Sequence, residues 1–290
     1  MKIEQNNELL TCSNVAGIIL KPKAMELKSI YKKIKDQFEA LGIKVLLDKS
    51  SANTINEADG IEFEELCKQS DFLVSLGGDG TLISLARRSL EFNKAIMGIN
   101  LGNLGFLTDI NPEELDTFLN NFKENKYRID NRMMIEVSVN DKKFVAFNDV
   151  SFCKDSIAGI LSLEAKINNK LFNRYSGDGL IISTPTGSTA YNLSCGGPVV
   201  YPLTNALIVT PISPHSLTQR PIVLPQDFEI SISLINPNKA VLIIDGQVTV
   251  NINNNDIISV KVASKKAKLI HRFERNYFNV LSTKLNWGQN

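Results

Sequence analysis

An aspartate lies between glycines in the stretch G-G-D-G-T, residues 77–81, directly after an apolar run. Gly77, Gly78 and Gly80 allow the backbone to turn tightly and to approach an anion such as phosphate. Asp79 would repel phosphate, so it must serve another purpose. Its carboxylate could hold Mg²⁺ that bridges phosphates or accept a proton from an attacking hydroxyl, and both roles belong to phosphoryl transfer. A tight turn without chemistry is the alternative, and the acidic residue between the glycines favours function.

A second glycine-rich segment, G-I-N-L-G-N-L-G-F-L-T-D, runs from Gly98 to Asp109 and also follows an apolar strand. Because loops after neighbouring parallel strands share one sheet edge, we expect the two glycine segments to meet. Phe106 is then a candidate to stack on a base. The alternative, which spacing alone favours, is that Phe106 and Leu107 fill the core under the loop.

The densest polar stretch covers residues 177–198 and begins with Asp178. A short apolar strand opens into a loop with five hydroxyl residues between Ser183 and Thr189, followed by Tyr191. Hydroxyls and amides without neighbouring positive charge suit the recognition of ribose and base by neutral hydrogen bonds. A structural turn explains a few of these residues but explains the whole string poorly.

Two shorter features are polar groups at apolar strands. Asn148 and Asp149 lie in the apolar run K-F-V-A-F-N-D-V, where a strand end or a bulge is the simpler explanation. Asp245 and Gly246 predict a hairpin turn, with Gln247 free to face either way.

The composition is that of a soluble globular enzyme, with 43% hydrophobic and 22% charged residues in a chain of 290. That length predicts two domains or one large one. The net charge is +1, and no long run of like charge is present, which argues against nucleic acid or an anionic membrane as the main partner.

The cysteines and histidines narrow the chemistry further. Four cysteines are scattered and never spaced C-x-x-C, and the first residues, M-K-I-E-Q-N-N-E-L-L, lack the apolar core of a signal peptide, so a cytoplasmic protein is predicted. No apolar stretch approaches the roughly 20 residues that span a bilayer. The two histidines, His215 and His271, nearly exclude histidine-based chemistry. Carboxylates, hydroxyls and backbone amides remain as working groups.

Residues 15–130 alternate apolar runs with helical patterns, which predicts a doubly wound α/β domain with parallel strands. The predicted strands are 15–20, 43–47, 71–76 and 95–100, and the predicted helices are 24–41, 61–68, 82–90 and 111–122. Thr81 is the expected N-cap of the helix after the glycines.

After about Arg128 the pattern changes to short strands with polar turns, which predicts a mainly antiparallel β domain. The predicted strands include 133–140, 143–150 and 161–168, and from Phe228 a meander turns at 236–239 and at 253–256. The tail, 271–287, carries bulky apolar residues and is expected to pack back on the body. The predicted division is therefore 1–130, 131–270 and a tail, 271–290.

Three of these motifs together resemble the NAD kinase family: G-G-D-G-T (77–81), N-D (148–149) and S-T-P-T-G-S-T-A-Y (183–191). The flanking G-N-L-G-F-L-T-D, S-C-G-G-P, P-I-S-P-H-S-L and L-S-T-K-L-N-W look like the same family, so the resemblance runs from near Asp71 to the C-terminus. Lipid kinases share G-G-D-G-T and phosphofructokinases have a close relative of it, whereas S-T-P-T-G-S-T-A-Y is highly specific.

The resemblance implies an N-terminal α/β domain like that of phosphofructokinases and diacylglycerol kinases, a C-terminal β domain, and an active site between them. It also implies transfer of the γ-phosphoryl group of ATP, with Mg²⁺ or a similar divalent ion, to the 2′-hydroxyl of the adenosine ribose of NAD. NAD and ATP are the implied partners, and a homodimer or homotetramer is the implied assembly. No nucleic acid or membrane is expected.

Carried across residue by residue, the resemblance makes Asp79 the catalytic base or orienter. Gly77, Gly78, Gly80 and Thr81 would form the phosphate loop, and no metal ligands are assigned. The implied NAD-binding residues are Asp79, Gly80, Phe106, Asn148, Asp149, Asp178, Thr186, Thr189, Ala190, Tyr191, Asn192, Leu193, Ser194 and Gln247. Two positions depart from the family pattern: Asp149 stands where Glu is frequent, and Ser176 stands where Arg is frequent.

Two other functions are compatible with parts of the sequence. A lipid or sphingoid-base kinase would share G-G-D-G-T, but it predicts an apolar cleft or a basic membrane-facing surface, and the sequence has no membrane feature. A dinucleotide-binding regulator without catalysis would be favoured by loss of Asp79 or Gly80, and both are present.

Overall fold

A computed structural model describes residues 8–22, 25–102, 105–155, 159–235 and 240–288. The chain divides into two compact units. The α/β unit comprises residues 1–131 together with 267–290, and the β unit comprises residues 132–266. The C-terminal segment is therefore part of the first unit.

The α/β unit is built on a seven-stranded sheet. Its elements are β1 (Val15–Leu20), α1 (Lys28–Ala40), β2 (Lys44–Asp48), α2 (Lys49–Ile55), β3 (Gly60–Ile61), α3 (Phe63–Gln69), β4 (Phe72–Gly77), α4 (Asp79–Ser89), β5 (Ala95–Asn100), α5 (Leu115–Lys123) and β6 (Tyr127–Arg132). Strands β2, β1, β4 and β5 are neighbours in that order and pair in parallel, as the alternation of strands and helices predicts.

The β unit contains the strands β7 to β18 and one short helix. These are β7 (Ile135–Val139), β8 (Lys142–Ala146), β9 (Asp149–Lys154), β10 (Leu161–Ile167), β11 (Lys170–Gly177), β12 (Gly179–Ser183), α6 (Tyr191–Ser194), β13 (Ala206–Ile212), β14 (Ile222–Pro225), β15 (Ile230–Leu234), β16 (Ala240–Ile244), β17 (Val248–Ile252) and β18 (Ile258–Val262). The chain then returns to the α/β unit as β19 (Ala267–Arg272) and α7 (Tyr277–Leu285).

Two six-stranded sheets form the β unit, in the orders β11-β10-β15-β18-β7-β8 and β14-β13-β12-β9-β16-β17. Their alternating buried residues make one apolar core to which both sheets contribute, for example Val137 from β7 and Phe152 from β9. The predicted antiparallel β domain is confirmed, but the predicted meander from Phe228 is wrong. Strand β15 pairs in the first sheet and β16 in the second, so consecutive strands change sheets.

The C-terminal strand β19 lies inside the first sheet, between β5 and β6. It pairs in parallel with β5, with Leu269 opposite Ile96, and its residues Leu269 and Ile270 are almost fully buried. The tail was expected only to pack on the body, but β19 is a strand inside the sheet of the first unit. The other strands of that sheet lie more than a hundred residues earlier.

Three local predictions also differ from the structure. Helix α4 begins at Asp79 with Gly78 as its N-cap, not at Thr81. The run 143–150 is not one strand, because β8 ends at Ala146 and β9 starts at Asp149. Helix α2 was not predicted, since its sequence K-S-S-A-N-T-I has little apolar periodicity and depends on the Asp48 side chain, which caps it by accepting a hydrogen bond from the Ser51 amide.

Some predicted features lie outside the described residues, namely the turn at 236–239, Ala24 at the start of the first predicted helix, and residues 103–104 of the second glycine segment. Across the described ranges, no helix is long and apolar enough to cross a membrane.

Candidate active site

Asp79 is the first residue of α4 and lies where β4 ends, at the carboxyl edge of the parallel strands. Its carboxylate accepts hydrogen bonds from three consecutive backbone amides of the second glycine segment. Oδ2 accepts from Phe106 N (2.7 Å), and Oδ1 accepts from Leu107 N (3.2 Å) and Thr108 N (3.1 Å). The Thr108 hydroxyl donates a fourth bond to Oδ1 at 2.9 Å. The two glycine segments therefore meet, as their positions after neighbouring strands predict.

Gly105 is required by this arrangement. A Cβ at that position would lie 2.0 Å from Asp79 Oδ1 and 2.5 Å from Thr108 Oγ1. Any larger residue would push the carboxylate out of its amide cradle. Gly105 therefore leaves space for the Asp79 carboxylate. This role differs from the close approach of phosphate that a glycine-rich loop first suggests.

The other glycines divide into two groups. A Cβ on Gly77 would lie 2.5 Å from Thr81 Oγ1, so Gly77 lets the first turn of α4 pack on the strand end. A Cβ on Gly78 would meet no heavy atom of the described chain within 4 Å. Gly80 is exposed at the surface of the same turn. The packing of the described residues thus explains Gly77 but not Gly78.

Phe106 and Leu107 differ in their environments. Leu107 is buried, which confirms that it fills the core beneath the loop, whereas Phe106 is only half-buried. Phe106 is therefore partly exposed, unlike Leu107.

In the β unit, Asn148 and Asp149 lie at the break between β8 and β9, held by Asp245. The Asp245 carboxylate accepts hydrogen bonds from Phe147 N (2.9 Å), Asn148 N (2.7 Å) and Asp149 N (3.1 Å). In return, Asp245 N donates to the Asp149 carbonyl at 2.9 Å. Asp245 and Gly246 have φ values of 50° and 64°, so the predicted D-G hairpin turn is confirmed.

Sequence reasoning treated Asp245 as a turn residue only and missed this second role. Nothing in the D-G pattern separates a turn aspartate from one that also binds a neighbouring strand. The contact depends on β16 pairing with β9, which places Ile244 beside Val150.

The Asp149 carboxyl is the unusual group of the β unit. The residue is only 4% exposed, and burial together with the nearby Asp245 charge raises the pKa of Asp149 to about 7. No hydrogen bond joins its side chain, or that of Asn148, to the described part of the chain. A buried carboxyl without protein partners and with a raised pKa is the kind of group found where ligands bind.

The hydroxyl string in residues 183–189 was expected to face a ribose or a base, and most of it does not. Ser183 Oγ donates to the Asn148 carbonyl (3.2 Å) and Thr184 Oγ1 to the Phe147 carbonyl (2.8 Å). Ser188 Oγ donates to the Val200 carbonyl at 3.1 Å. All three residues are buried, because short hydroxyl side chains satisfy backbone groups that the loop leaves unpaired. These hydroxyls therefore stabilise the loop by bonding backbone carbonyls, and the expectation that they bind a ribose or a base is wrong for these three.

Thr186 is also buried and lies 3.5 Å from Arg132 Nη1, so it too contacts the protein. Gly187 is needed because a Cβ there would lie 2.2 Å from the Asn148 carbonyl oxygen. The loop therefore packs directly on the Asn148–Asp149 break, and the two motifs form one structure.

The residues that follow present a more accessible face. Thr189 and Ala190 are half-buried, and Tyr191 is 46% exposed. Ser194 is exposed and Leu193 half-buried on the single turn α6. Asn192 differs, since it is fully buried and its amide donates to the carbonyls of Ser188 (3.0 Å) and Pro198 (3.1 Å). Its oxygen accepts from Thr210 Oγ1 at 2.6 Å, so this side chain supports the segment from inside.

Two further candidate residues are Asp178 and Gln247. Asp178 precedes β12, at the strand end opposite Ser183, and forms an ion pair with Lys154 at 2.6 Å. The Lys154 hydrogen bond holds the pKa of Asp178 below its usual range. Gln247 is exposed after the Asp245–Gly246 turn. Ser176, at the position where Arg is frequent in the family, faces Ser162 Oγ at 3.3 Å.

The described ranges contain no group of three or more His, Cys, Asp and Glu residues able to hold a metal ion. The donors near Asp79 are amides and a hydroxyl that already serve the carboxylate.

Backbone amides fix Asp79 of the G-G-D-G-T motif at the carboxyl edge of a doubly wound sheet, an arrangement that agrees with a phosphotransferase. The family models agree with this class and narrow it: residues 16–127 match the ATP-NAD kinase N-terminal domain and residues 147–272 match the ATP-NAD kinase C-terminal domain. The chain belongs to the NAD kinase family.

Two similar proteins are named NAD kinase, and each aligns with this chain over nearly its whole length. The chain is 45% identical over 283 residues to an NAD kinase of Wolinella succinogenes, a match that covers 96% of this chain and 97% of the other. It is 46% identical over 277 residues to an NAD kinase of Sulfurimonas denitrificans, with 94% and 97% covered.

Solved structures show the same fold. An NAD kinase from Archaeoglobus fulgidus in complex with ATP superposes with a TM-score of 0.76 at 26% identity, covering 94% of this chain and 98% of that one. Yeast NADH kinase complexed with NADH superposes with a TM-score of 0.82 at 23% identity, covering 96% and 89%, and at that identity it supports the fold alone.

Proposed function

We propose that Asp79 orients the 2′-hydroxyl of the adenosine ribose of NAD for phosphorylation by ATP, giving NADP and ADP. The observation that carries this proposal is the amide cradle of Asp79. Oδ1 accepts three hydrogen bonds, whereas Oδ2 accepts one. Oδ2 therefore retains capacity to accept a bond from a hydroxyl, and its direction is fixed.

In the reaction, the ribose 2′-oxygen forms a bond to the γ-phosphorus as the bond from that phosphorus to the β–γ bridging oxygen breaks and ADP leaves. The hydroxyl proton moves toward Asp79 Oδ2 as the transition state develops. General-base assistance contributes about 10²–10⁴-fold to such steps. Most of the remainder comes from positioning and charge neutralisation, because phosphoryl transfer requires little covalent chemistry from the protein.

The β unit supplies ribose and base recognition in this proposal. The side chains of Asp149 and Asn148 have no hydrogen-bond partner in the described chain. In this proposal the Asp149 carboxylate accepts hydrogen bonds from sugar hydroxyls, and the Asn148 amide donates to them or accepts from them. Tyr191, Phe106, Ala190 and Thr189 contact the dinucleotide. Asp178 and Gln247 are assigned contacts of unspecified kind, and Thr186, Asn192, Leu193 and Ser194 shape the segment.

Gly78 and Gly80 then serve the nucleotide. No described atom lies near the missing Cβ of Gly78, so the lack of a side chain leaves room for phosphate at the first turn of α4. Mg²⁺ or a similar divalent ion bound with ATP would supply neutralisation of phosphate charge, and no residue of the chain is assigned as its ligand.

The test compares Asp79→Asn with Asp71→Asn. Asp71 is a matched control because its carboxylate also accepts backbone bonds, from Asn14 N (2.8 Å) and Val15 N (3.0 Å), at the start of the same strand. Both changes cost hydrogen bonds, and we expect both to lower stability by about 1–3 kcal/mol. Only Asp79→Asn should abolish NADP formation while NAD binding, measured by calorimetry, persists. Retention of more than about a tenth of the wild-type rate by that variant would contradict the base role.

The same assay separates the alternative functions. Purified protein is incubated with ATP, Mg²⁺ and NAD, and in parallel with ATP, Mg²⁺ and sphingosine or diacylglycerol. NADP formation without lipid phosphorylation supports the proposal. Phosphorylation of a lipid acceptor instead would support a lipid kinase, and NAD binding without turnover would support a regulator.

We also propose a homodimer or homotetramer that works in the cytoplasm. Strand β14 is at the edge of its sheet in the described chain, and its Ile222 and Val223 are 37% and 46% exposed. An edge strand with exposed apolar residues suits pairing with a second copy. The described cysteines are all free, as a reducing compartment requires. Light scattering after size exclusion measures the assembly, and fractionation of the source cells measures the compartment.

A further inference from the structure

Four ionisable side chains form a buried cluster in the α/β unit, and neither the reaction nor the sequence motifs account for it. The cluster consists of Asp109, Asp130, His271 and Arg275, and none of these side chains is more than 9% exposed. Arg275 Nε lies 3.3 Å from Asp109 Oδ2, and Nη1 lies 4.0 Å from Asp130 Oδ2. Burying charges costs desolvation free energy, which is offset only when the charges are paired and hydrogen-bonded.

His271 links the cluster as a neutral side chain. Its Nδ1 lies 3.1 Å from Asp109 Oδ1, and its Nε2 lies 3.3 Å from Arg275 Nη1. A guanidinium N–H donates, so Nε2 must accept and the ring proton must be on Nδ1. Burial, reinforced by the Arg275 charge, lowers the pKa of His271, which agrees with the neutral form. Burial also raises the pKa of Asp109, but His271 and Arg275 outweigh it and hold that pKa below its usual range.

The remaining charge is balanced locally. Arg128 Nε lies 3.3 Å from Asp130 Oδ1, so two arginines face two aspartates. The cluster thereby fixes the guanidinium of Arg275 in position and direction. Its Nη2 atom points toward the second glycine segment.

Arg275 Nη2 donates a hydrogen bond to the carbonyl oxygen of Phe106. That oxygen belongs to the same planar peptide group as the Leu107 N–H, which donates to Asp79 Oδ1 at 3.2 Å. In a trans peptide the carbonyl and the N–H point in opposite directions. A guanidinium that holds the oxygen therefore directs the N–H at Asp79, and a flip of this peptide would turn the carbonyl oxygen against the carboxylate.

We propose that Arg275 is a positioning residue for Asp79, acting through the Phe106–Leu107 peptide and held in place by Asp109 and His271. The inference rests on the proposed function of Asp79. A displacement of the reacting group by about 1 Å is enough to lower turnover by roughly 10²-fold, so control of one peptide plane matters for the rate.

The test compares Arg275→Lys with Arg272→Lys. Lysine keeps the positive charge that the buried carboxylates need, but its single ammonium cannot reach Asp109 and the Phe106 carbonyl together. Arg272 is the matched control, because it lies three residues earlier and forms an ion pair with Glu114. We expect Arg275→Lys to lower kcat by roughly 10–100-fold with the KM values for NAD and ATP within about threefold. Arg272→Lys should change neither by more than about twofold.

A second readout does not depend on activity. In ¹H–¹⁵N NMR spectra, the Leu107 and Thr108 amides should move upfield in Arg275→Lys, because their bonds to Asp79 weaken, and stay in place in Arg272→Lys. A loss of kcat without movement of these amides overturns the proposal, and so does movement without a loss of kcat. If the wild-type protein makes no NADP, the proposed function fails while the amide readout still tests the geometry.

Asp109→Asn covers the case in which Arg275→Lys does not fold. It loosens the anchor of Arg275 without removing the guanidinium or touching Phe106. The expected result is a smaller loss of kcat in the same direction, with the same two amides affected. An unchanged kcat together with unchanged amides in this variant overturns the proposal.

Discussion

Asp79 and Asp245 each accept hydrogen bonds from three consecutive backbone amides, one in the α/β unit and the other in the β unit. Consecutive amides form a concave, positively polarised surface that suits an anion. Here the anion is the protein's own carboxylate, which ties one loop to another. Replacement of either aspartate by asparagine would place an amide nitrogen against an N–H donor, so it changes the loop as well as the charge.

Asp149 allows a prediction about stability at the scale of one residue. Its folded pKa, about 7, lies above the ordinary value of 3.8. The folded protein therefore keeps a proton that the unfolded chain releases, and stability falls as the pH rises from about 4 to about 7. Asp149→Asn should remove this loss and stabilise the ligand-free protein by about 4 kcal/mol at pH 8, at about 1.36 kcal/mol per pKa unit.

Urea unfolding at pH 4, 6 and 8 measures the effect of Asp149→Asn. The gain should be close to zero at pH 4 and complete at pH 8, and NADP formation should fall. Asp141→Asn, at an exposed position, is the control. A gain at pH 8 no larger than that at pH 4 would show that Asp149 is not a strained carboxyl.

At the scale of elements, the segment from Ser183 to Ser194 is a loop with its own buried polar interior. Asn192 lies at its centre, where its side-chain amide donates to the Ser188 and Pro198 carbonyls and accepts from the Thr210 hydroxyl. Only glycine fits at position 197, because a Cβ on Gly197 would lie 2.0 Å from Asn192 Oδ1.

We predict that Asn192→Ala destabilises the protein by about 3 kcal/mol or more, because it leaves two carbonyls and a hydroxyl unsatisfied inside the β unit, at about 1–3 kcal/mol each. Denaturant unfolding measures the change, and Asn205→Ala at an exposed position is the control. If both variants unfold at the same urea concentration, Asn192 does not support the loop.

Sequence patterns predicted elements better than they predicted side-chain roles. Apolar runs identified the central strands β1, β4 and β5 because parallel strands are buried on both faces. The string at 183–189 was identified as important, but its hydroxyls turned inward, since a motif does not reveal which backbone groups need partners.

Long-range partners explain the other failures. The bonds from Asp245 to residues 147–149 span nearly a hundred residues, and the bond from Arg275 to Phe106 spans more. No local pattern in the sequence encodes such pairs. Asp79, in contrast, stands out in the sequence because its charge conflicts with phosphate, and the role assigned to it stays a prediction.

At the scale of the whole molecule, the chain completes its first unit last. Strand β19 is internal to the seven-stranded sheet, and it buries Leu269, Ile270 and His271 almost completely. Burial of each large apolar side chain contributes about 1.5–3 kcal/mol. The two sheets of the β unit, in contrast, are made from residues 132–266 alone.

We therefore predict that a chain truncated after Lys266 keeps a folded β unit but loses the folded α/β unit, and that residues 132–266 fold as an isolated fragment. Dispersion of amide NMR signals measures both outcomes. Truncation after Asn286 is the control, since it removes the 56% exposed Trp287 and leaves α7 complete. Well-dispersed signals from residues 15–131 in the shorter chain would contradict the prediction.

The position of β19 also sets an order of events during synthesis. On the ribosome, the partner edge of β5 emerges long before β19 does, and translation of residues 132–266 at roughly 5–20 residues per second takes on the order of ten seconds. Throughout that interval the nascent first unit has an open strand edge, whereas the second unit is complete at the end of the interval, before β19 is made. An open strand edge is a template for pairing with other chains, so this interval is the stage of synthesis at which the first unit is most exposed to aggregation.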